Sequence, residues 1–223
     1  MSRSIGGLEA ASEWSTFRRI LPNFNNKRVL DLGCGYGWHC RYAIENKSKL
    51  VTGVDISEKM LQIAISKTKD KNVQYIHKSI EEVDFKEKSF DIIISSLALH
   101  YVESYDEIIK KIYKWLNKNG HFVFSIEHPI FTAYGNQDWI YSEENEILHW
   151  PIDNYFYEGR RDTIFLDEKV IKYHRTLTTY LNTLLKEGFR IMNIIEPKAD
   201  EGNKEMKNEL RRPMMLFIGS IKE

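Results

Sequence analysis

Val29-Leu30-Asp31-Leu32-Gly33-Cys34-Gly35-Tyr36-Gly37 decides the fold. Arg28–Leu32 reads as a short buried strand, and Trp38–Asn46 resumes a helical pattern after the glycines. A strand that ends in Gly-x-Gly-x-Gly and enters a helix lets the backbone approach a ligand without Cβ clashes. The helix start offers free N–H groups and the positive end of a dipole. Nicotinamide and flavin enzymes use a similar turn, but their Gly-x-Gly-x-x-Gly fingerprint would need glycine at 38. That position is Trp38, and the third glycine is Gly37. Asp31 adds a second distinction, because a carboxylate there repels a pyrophosphate and suits a cationic ligand. Asp55 closes the next strand, Leu50–Asp55, where a carboxylate can accept both hydroxyls of a ribose. The plainer alternative is a glycine turn with two capping aspartates.

Outward from this loop the chain alternates strand and helix. Leu8–Ile20 has helical spacing and stops at Pro22. Ser57 is a good N-cap for a helix with Met60, Leu61, Ala64 and Ile65 on one face. Val73–His77 reads as a third strand, and Phe90–Ser95 is apolar enough for the middle of a parallel sheet. A helix over Asp106–Leu116 and a strand over Gly120–Ile126 follow. Leu177–Lys186 is helical and ends at Gly188, with strands over Phe189–Ile195 and Met214–Ile221. The expected fold class is α/β: a doubly wound, seven-stranded Rossmann-like sheet, mostly parallel with an antiparallel final strand, with helices on both faces. Residues 1–223 read as one domain. Between His128 and Tyr173 the chain looks irregular and dense in aromatics, as expected of an insertion or lid after the fifth strand.

Composition narrows the partners. The chain has 223 residues, 42% hydrophobic and 29% charged, ordinary for a soluble globular protein. Lys and Arg total 32, as do Asp and Glu, so no basic excess points to nucleic acid. No apolar run approaches the ~20 residues needed to cross a bilayer, and no signal-peptide core opens the sequence. The expected address is cytoplasmic, with no membrane partner. The two cysteines, Cys34 and Cys40, lack zinc-ligand spacing and do not read as a structural disulfide.

Residues 29–37 together with Val51-Thr52-Gly53-Val54-Asp55-Ile56-Ser57 resemble the first two motifs of the class I methyltransferases, in particular the bacterial small-molecule type 11 group. Residues 89–102 (Ser-Phe-Asp-Ile-Ile-Ile-Ser-Ser-Leu-Ala-Leu-His-Tyr-Val) resemble that family's fourth-strand motif, and residues 116–125 the turn and strand after it. The resemblance covers 28–126 strongly, and Gly188–Ile221 fits the closing antiparallel pair. It implies S-adenosylmethionine as cofactor, with S-adenosylhomocysteine as product. The implied cofactor contacts are Asp31, Gly33, Gly35, Gly37, Asp55, Ile56, Ile80, Glu81 and Ser96. Where the family often places an acidic residue for the adenine amino group this chain has Ser79, which passes that contact to the Ile80 backbone or Glu81. Relatives usually carry a further N-terminal segment over the cofactor, so either a more open site is expected here or the reading begins at an internal methionine.

The resemblance implies methyl transfer to a small-molecule acceptor by in-line displacement, which chiefly requires alignment of donor and acceptor. A general base is optional. His100 after the fourth strand and His128 after the fifth are the candidate catalytic residues, with His149 and His174 behind them. The aromatic insertion suits a flat or apolar acceptor, or else simply packs onto the sheet. Arg160, Arg161 and Arg175 are candidates for an acidic acceptor group. Ser95-Ser96-Leu97-Ala98 replaces the Asn/Asp-Pro-Pro-Tyr of amino-group methylases of adenine or glutamine, and it offers no carboxylates for a metal-assisted reaction. The expected enzyme is therefore metal-free. Two other readings compete with it. One is a non-catalytic module that binds S-adenosylmethionine or S-adenosylhomocysteine for regulation, and the other, disfavoured by Trp38, is a nicotinamide oxidoreductase.

Overall fold

The computed structural model describes residues 7–8, 11, 13–165, 168–199 and 204–223. Helix α1 (Trp14–Ile20) precedes strand β1 (Arg28–Leu32), helix α2 (Trp38–Glu45), β2 (Leu50–Asp55), α3 (Glu58–Lys67) and β3 (Val73–His77). Strand β4 (Phe90–Ser96) leads through a 3-10 turn at Leu99–Tyr101 into α4 (Tyr105–Trp115) and β5 (Leu116–Glu127). After β5 come α5 (Pro129–Ala133), β6 (Ile140–Tyr141), β7 (Ile147–His149), β8 (Gly159–Phe165) and β9 (Glu168–His174). Helix α6 (Leu177–Glu187), β10 (Phe189–Ile195), a 3-10 helix at Lys204–Arg211 and β11 (Met215–Lys222) complete the chain. Residues 9, 10 and 12 of the expected first helix lie outside the described residues.

Seven strands form one sheet in the order β10-β11-β5-β4-β1-β2-β3. β1 pairs in parallel with β2 and β4, placing Asp31 opposite Gly53 on one side and Ile94 on the other. β11 runs antiparallel to both β5 and β10, so it alone is reversed within the sheet. The central strands β1, β2 and β4 read as near-continuous apolar runs because both faces are covered. Leu30, Leu32, Ile93, Phe122 and Phe124 pack under α4 and α6, against Ile109, Ile112, Trp115 and Leu184. Their neighbours Val29, Val51, Ile92, Ile94 and Phe217 face the other way, toward Trp14, Phe17, Cys40 and Ala43 of α1 and α2. Each fully buried side chain of this kind contributes about 1.5–3 kcal/mol.

Local chemistry sets the ends. Ser57 Oγ accepts the Met60 amide at the start of α3, and Thr176 Oγ1 accepts the Thr179 amide at the start of α6. Gly188 closes α6 at φ +103°, a conformation that favours glycine. Gly53 is glycine for a different reason: a Cβ there would lie 2.8 Å from Cys34 Sγ, 2.9 Å from Cys40 Sγ and 2.8 Å from the Tyr75 ring. Among the described residues, no helix is long and apolar enough to cross a membrane.

The stretch after β5 corrects the expectation of an irregular segment. It holds a one-turn helix and two hairpins, β6–β7 and β8–β9. The alternation that marks β9 is present but polar, because its inward residues include Lys172 and His174. Hydrophobic periodicity therefore could not reveal it.

Candidate active site

The glycine loop crosses the carboxyl ends of β1 and β2. Val54 O accepts the amides of Gly33 (2.8 Å) and Cys34 (3.0 Å), which bends the chain back over β2. Gly33, Gly35 and Gly37 take φ of +75°, +51° and +70°, so all three sit in the left-handed region. A Cβ on Gly33 would come 2.3 Å from Ala98 Cβ, whereas one on Gly35 would meet only Met60 Sδ at 3.7 Å. The open side of the loop is therefore at Gly35. Asp55 accepts the Gly35 amide on Oδ2 (2.7 Å) and the Ser57 amide on Oδ1 (2.8 Å). Beside it the apolar side chain of Ile56 is 71% exposed, and His77 Nε2 donates to its carbonyl at 2.9 Å.

Asp31 points toward α2, as its place beside Val29 in the strand alternation requires. It is buried, and Oδ2 accepts only the Cys40 thiol, at 3.3 Å. Oδ1 is buried and has no hydrogen-bond partner among the described residues. Burial raises its pKa to about 7, with the Asp55 charge adding to the effect and the Cys40 hydrogen bond opposing it. A ligand ammonium, directly or through a water, would complete Oδ1 and restore the ionised form.

Across the loop, Ser96 Oγ lies 3.2 Å from Ser125 Oγ, and Ser125 accepts the Leu97 amide through both its carbonyl (2.9 Å) and its hydroxyl (3.1 Å). These bonds hold Leu97 at φ +52°, a strained conformation for a leucine. They also set Ala98 against Gly33. Ile80 packs on the core near Gly33. Glu81 turns elsewhere: its Oε1 accepts the Glu103 amide at 3.1 Å beside the start of α4. Ser79 and Glu82 form a capping box, with Ser79 Oγ accepting the Glu82 amide (3.2 Å) and Glu82 returning to Ser79.

Both candidate catalytic histidines are bound into the scaffold. His100 is buried and its Nδ1 accepts the Glu127 amide at 3.4 Å. Burial lowers its pKa to about 4, so it is neutral at physiological pH. His128 Nδ1 caps α5 by accepting the Ile130 amide (3.1 Å). Its Nε2 lies 2.8 Å from Glu196 Oε1, off the line of a good hydrogen bond. His174 is occupied at both nitrogens, by the Thr132 hydroxyl (2.8 Å) and the Tyr155 carbonyl (2.9 Å). His149 is exposed on β7.

The candidate arginines are likewise engaged. Arg160 pairs with Asp162, Arg161 donates to the carbonyls of Ala133, Asn154, Tyr157 and Arg160, and Arg175 donates to those of Val102 and Glu103. The insertion's rings mostly pack on each other. Phe131 and Trp150 stack at 4.9 Å, Trp139 meets Trp150 edge-on at 5.2 Å, and the Arg212 guanidinium lies 4.1 Å from the Trp150 centroid.

A polar cluster that sequence reasoning missed lies at the end of β5. Lys172 Nζ reaches Glu127 Oε1 at 2.6 Å and Gln137 Oε1 at 2.8 Å, and Gln137 Nε2 donates to Glu127 Oε2 at 2.7 Å. Lys172 is 1% exposed. Burial opposes ionisation of Glu127, yet His100 and Lys172 outweigh it and hold the carboxyl below its usual range. Because His100 is uncharged above about pH 4, the ammonium is the charge that acts at neutral pH. The Tyr101 ring lies against His100, centroids 4.3 Å apart and inclined at 42°, and Lys172 Nζ is 5.9 Å from its centroid.

Residues 30–124 match the model of a methyltransferase domain family. The chain is 51% identical to a solved Listeria monocytogenes structure assigned to the S-adenosylmethionine-dependent methyltransferases, with a TM-score of 0.91 over 96% of this chain and 99% of that one. A second such structure, from Mesorhizobium loti, is 40% identical with a TM-score of 0.90, over 97% of this chain and 100% of that one. The malonyl-[acyl-carrier protein] O-methyltransferase of Halalkalibacterium halodurans is 26% identical over 73% of this chain and 66% of that enzyme. Fold, loop and relatives together define the class: the chain belongs to the class I S-adenosylmethionine-dependent methyltransferases. S-adenosylmethionine is its cofactor, and the vacant hydrogen-bonding capacity at Asp31 fits that ligand's ammonium.

Proposed function

We propose that the protein methylates a small carboxylic acid, or another acceptor whose oxygen is already ionised at neutral pH. In this reading Asp31 meets the ammonium of the cofactor, and Asp55 takes the ribose hydroxyls on its remaining lone pairs. Gly33, Gly35 and Gly37 give the backbone access, Ile56 and Ile80 flank the adenine, and Ser96 borders the methionine arm. Glu81, occupied at the start of α4, acts through the backbone it fixes. When bound, S-adenosylmethionine supplies an electrophilic methyl group: a C–O bond forms as the C–S bond breaks, its electrons leaving on sulfur.

The observation that carries the acceptor class is the commitment of the histidines. His100 Nδ1 and His128 Nδ1 each accept a backbone amide, and His174 uses both nitrogens. None of these three has a free lone pair with which to take a proton from an alcohol or phenol. We assign His100 and His128 to positioning rather than proton transfer. A carboxylate needs no base, and the relative named for O-methylation of a malonyl group supports the same class. The hairpins over residues 140–174 serve as a lid on the acceptor side of a single domain working in the cytoplasm.

The test is mass spectrometry of product formed from S-adenosylmethionine with panels of carboxylic acids, phenols and amines. Methyl esters are expected. Turnover of phenols or amines alone would overturn the acceptor class. Absence of any thermal shift with S-adenosylhomocysteine would overturn the cofactor assignments.

A further inference from the structure

We propose that the Tyr101 hydroxyl is the group that hydrogen-bonds the acceptor's reacting carboxylate. This rests on the carboxylate reading above. Ala98 stands against the glycine loop, where a Cβ added at Gly33 would lie 2.3 Å from Ala98 Cβ. The 3-10 turn at Leu99–Tyr101 is therefore the first acceptor-side element beyond the cofactor loop. Leu99 and His100 are buried, while Tyr101 is 37% exposed. None of the hydrogen bonds among the described residues uses its hydroxyl, whereas His100, Glu127, Gln137 and Lys172 around it are all engaged.

The ring is held from behind. His100 packs against it at a tilt of 42°, Glu127's amide fixes His100, and Lys172 lies over the ring face. Burial, with the Glu127 charge adding to it, raises the phenol's pKa to about 12, so the group remains a neutral donor under working conditions. A donor aimed at one carboxylate oxygen leaves the second oxygen's lone pairs free to attack. Donation to a neutral amine would occupy the nitrogen's single lone pair, the one that must attack, whereas a carboxylate keeps others free.

The test uses full-length protein carrying 3-fluorotyrosine in place of Tyr101. With S-adenosylhomocysteine saturating, malonate, benzoate and octanoate are titrated and followed by fluorine NMR. A saturable shift of the position-101 signal with at least one of these acids is expected. In Tyr101→Phe the affinity for that acid, measured by calorimetry, should fall about tenfold or more, as for loss of a hydrogen bond to a charged group. Affinity for S-adenosylhomocysteine should stay within about twofold, the expectation for a group outside the cofactor site. A signal that none of the acids moves, or equal acid affinity in the phenylalanine variant, overturns the proposal. Failure of wild type to bind S-adenosylhomocysteine is a different result and sinks the underlying reading first.

Discussion

The Gly35 amide donates to Asp55 Oδ2 across 2.7 Å, so one carboxylate ties the open point of the glycine loop to the end of the neighbouring strand. The same side chain holds the Ser57 amide through its other oxygen. It is thus the loop's brace, and in the proposed cofactor arrangement it also takes the ribose hydroxyls. Asp55→Ala should lose about 1–3 kcal/mol for each amide left unsatisfied. That would lower the melting temperature by roughly 2–4 °C per kcal/mol in a chain of this size. It should also remove the stabilisation by S-adenosylhomocysteine, as read by thermal melts with and without the ligand. A full ligand shift in this variant would refute the ribose role.

Glycines in the loop differ in what they tolerate. Gly33→Ala puts a methyl group 2.3 Å from Ala98 Cβ and should displace the Leu97–Tyr101 turn. Gly35→Ala meets nothing closer than 3.7 Å and incurs only the left-handed backbone penalty, about 1–2 kcal/mol. Urea unfolding should rank Gly33→Ala as the more destabilised by at least twofold in free energy. Similar losses for the two would show that the contact with Ala98 relaxes freely.

Asp31 makes stability and binding respond to pH. Its carboxyl titrates near 7 when folded, against a usual value of 3.8. The folded state therefore holds the proton more tightly, and this contribution is complete below about 3.8 and lost as pH rises toward 7. Asp31→Asn should accordingly stabilise the ligand-free protein at pH 8 and lose that advantage as pH falls toward 4. A ligand ammonium beside Oδ1 favours the ionised carboxyl. Calorimetry near pH 6.5 in buffers of different ionisation enthalpy should thus show proton release, up to about one, on binding S-adenosylhomocysteine. Proton uptake would contradict the assignment.

Lys172 and Glu127 join the β8–β9 hairpin to β5 through a buried ion pair. Lys172→Met leaves Glu127 without its cation and should cost about 3–5 kcal/mol. Lys172→Met with Glu127→Leu should recover much of this, because replacing both charges is often neutral. Urea denaturation measures the cycle, and proteolysis at the exposed Phe156–Tyr157 turn reports whether the hairpins have loosened. Equal stability of the single and double variants would show that the pair does not anchor the insertion.

The sheet was legible because its strands are buried on both faces and its helices carry ordinary caps. The turn of Gly33, Gly35 and Gly37 between β1 and α2, with Asp31 and Asp55 at neighbouring strand ends, could be placed from the chain because local strand and helix patterns fix those positions. The acceptor side was not. Its hairpin turns polar residues inward, so Lys172 and His174 carry no periodic apolar signal. His100 and His128 were conspicuous as histidines, but their roles depend on amides of Glu127 and Ile130 that only the folded register brings to them. Tyr101 stood in plain view beside His100, and its open hydroxyl emerged only when its neighbours proved to be buried.

Gly53, which has no room for a Cβ among Cys34, Cys40 and Tyr75, also limits how this sequence can evolve. Drift to alanine at 53 is barred while both sulfur atoms stay in place. Exchange of either cysteine for a larger residue is barred by the absence of slack around the glycine. The four positions should therefore change as a set across homologous lineages, giving the underside of the glycine loop a heritable signature that links its two motifs to Cys40 and Tyr75.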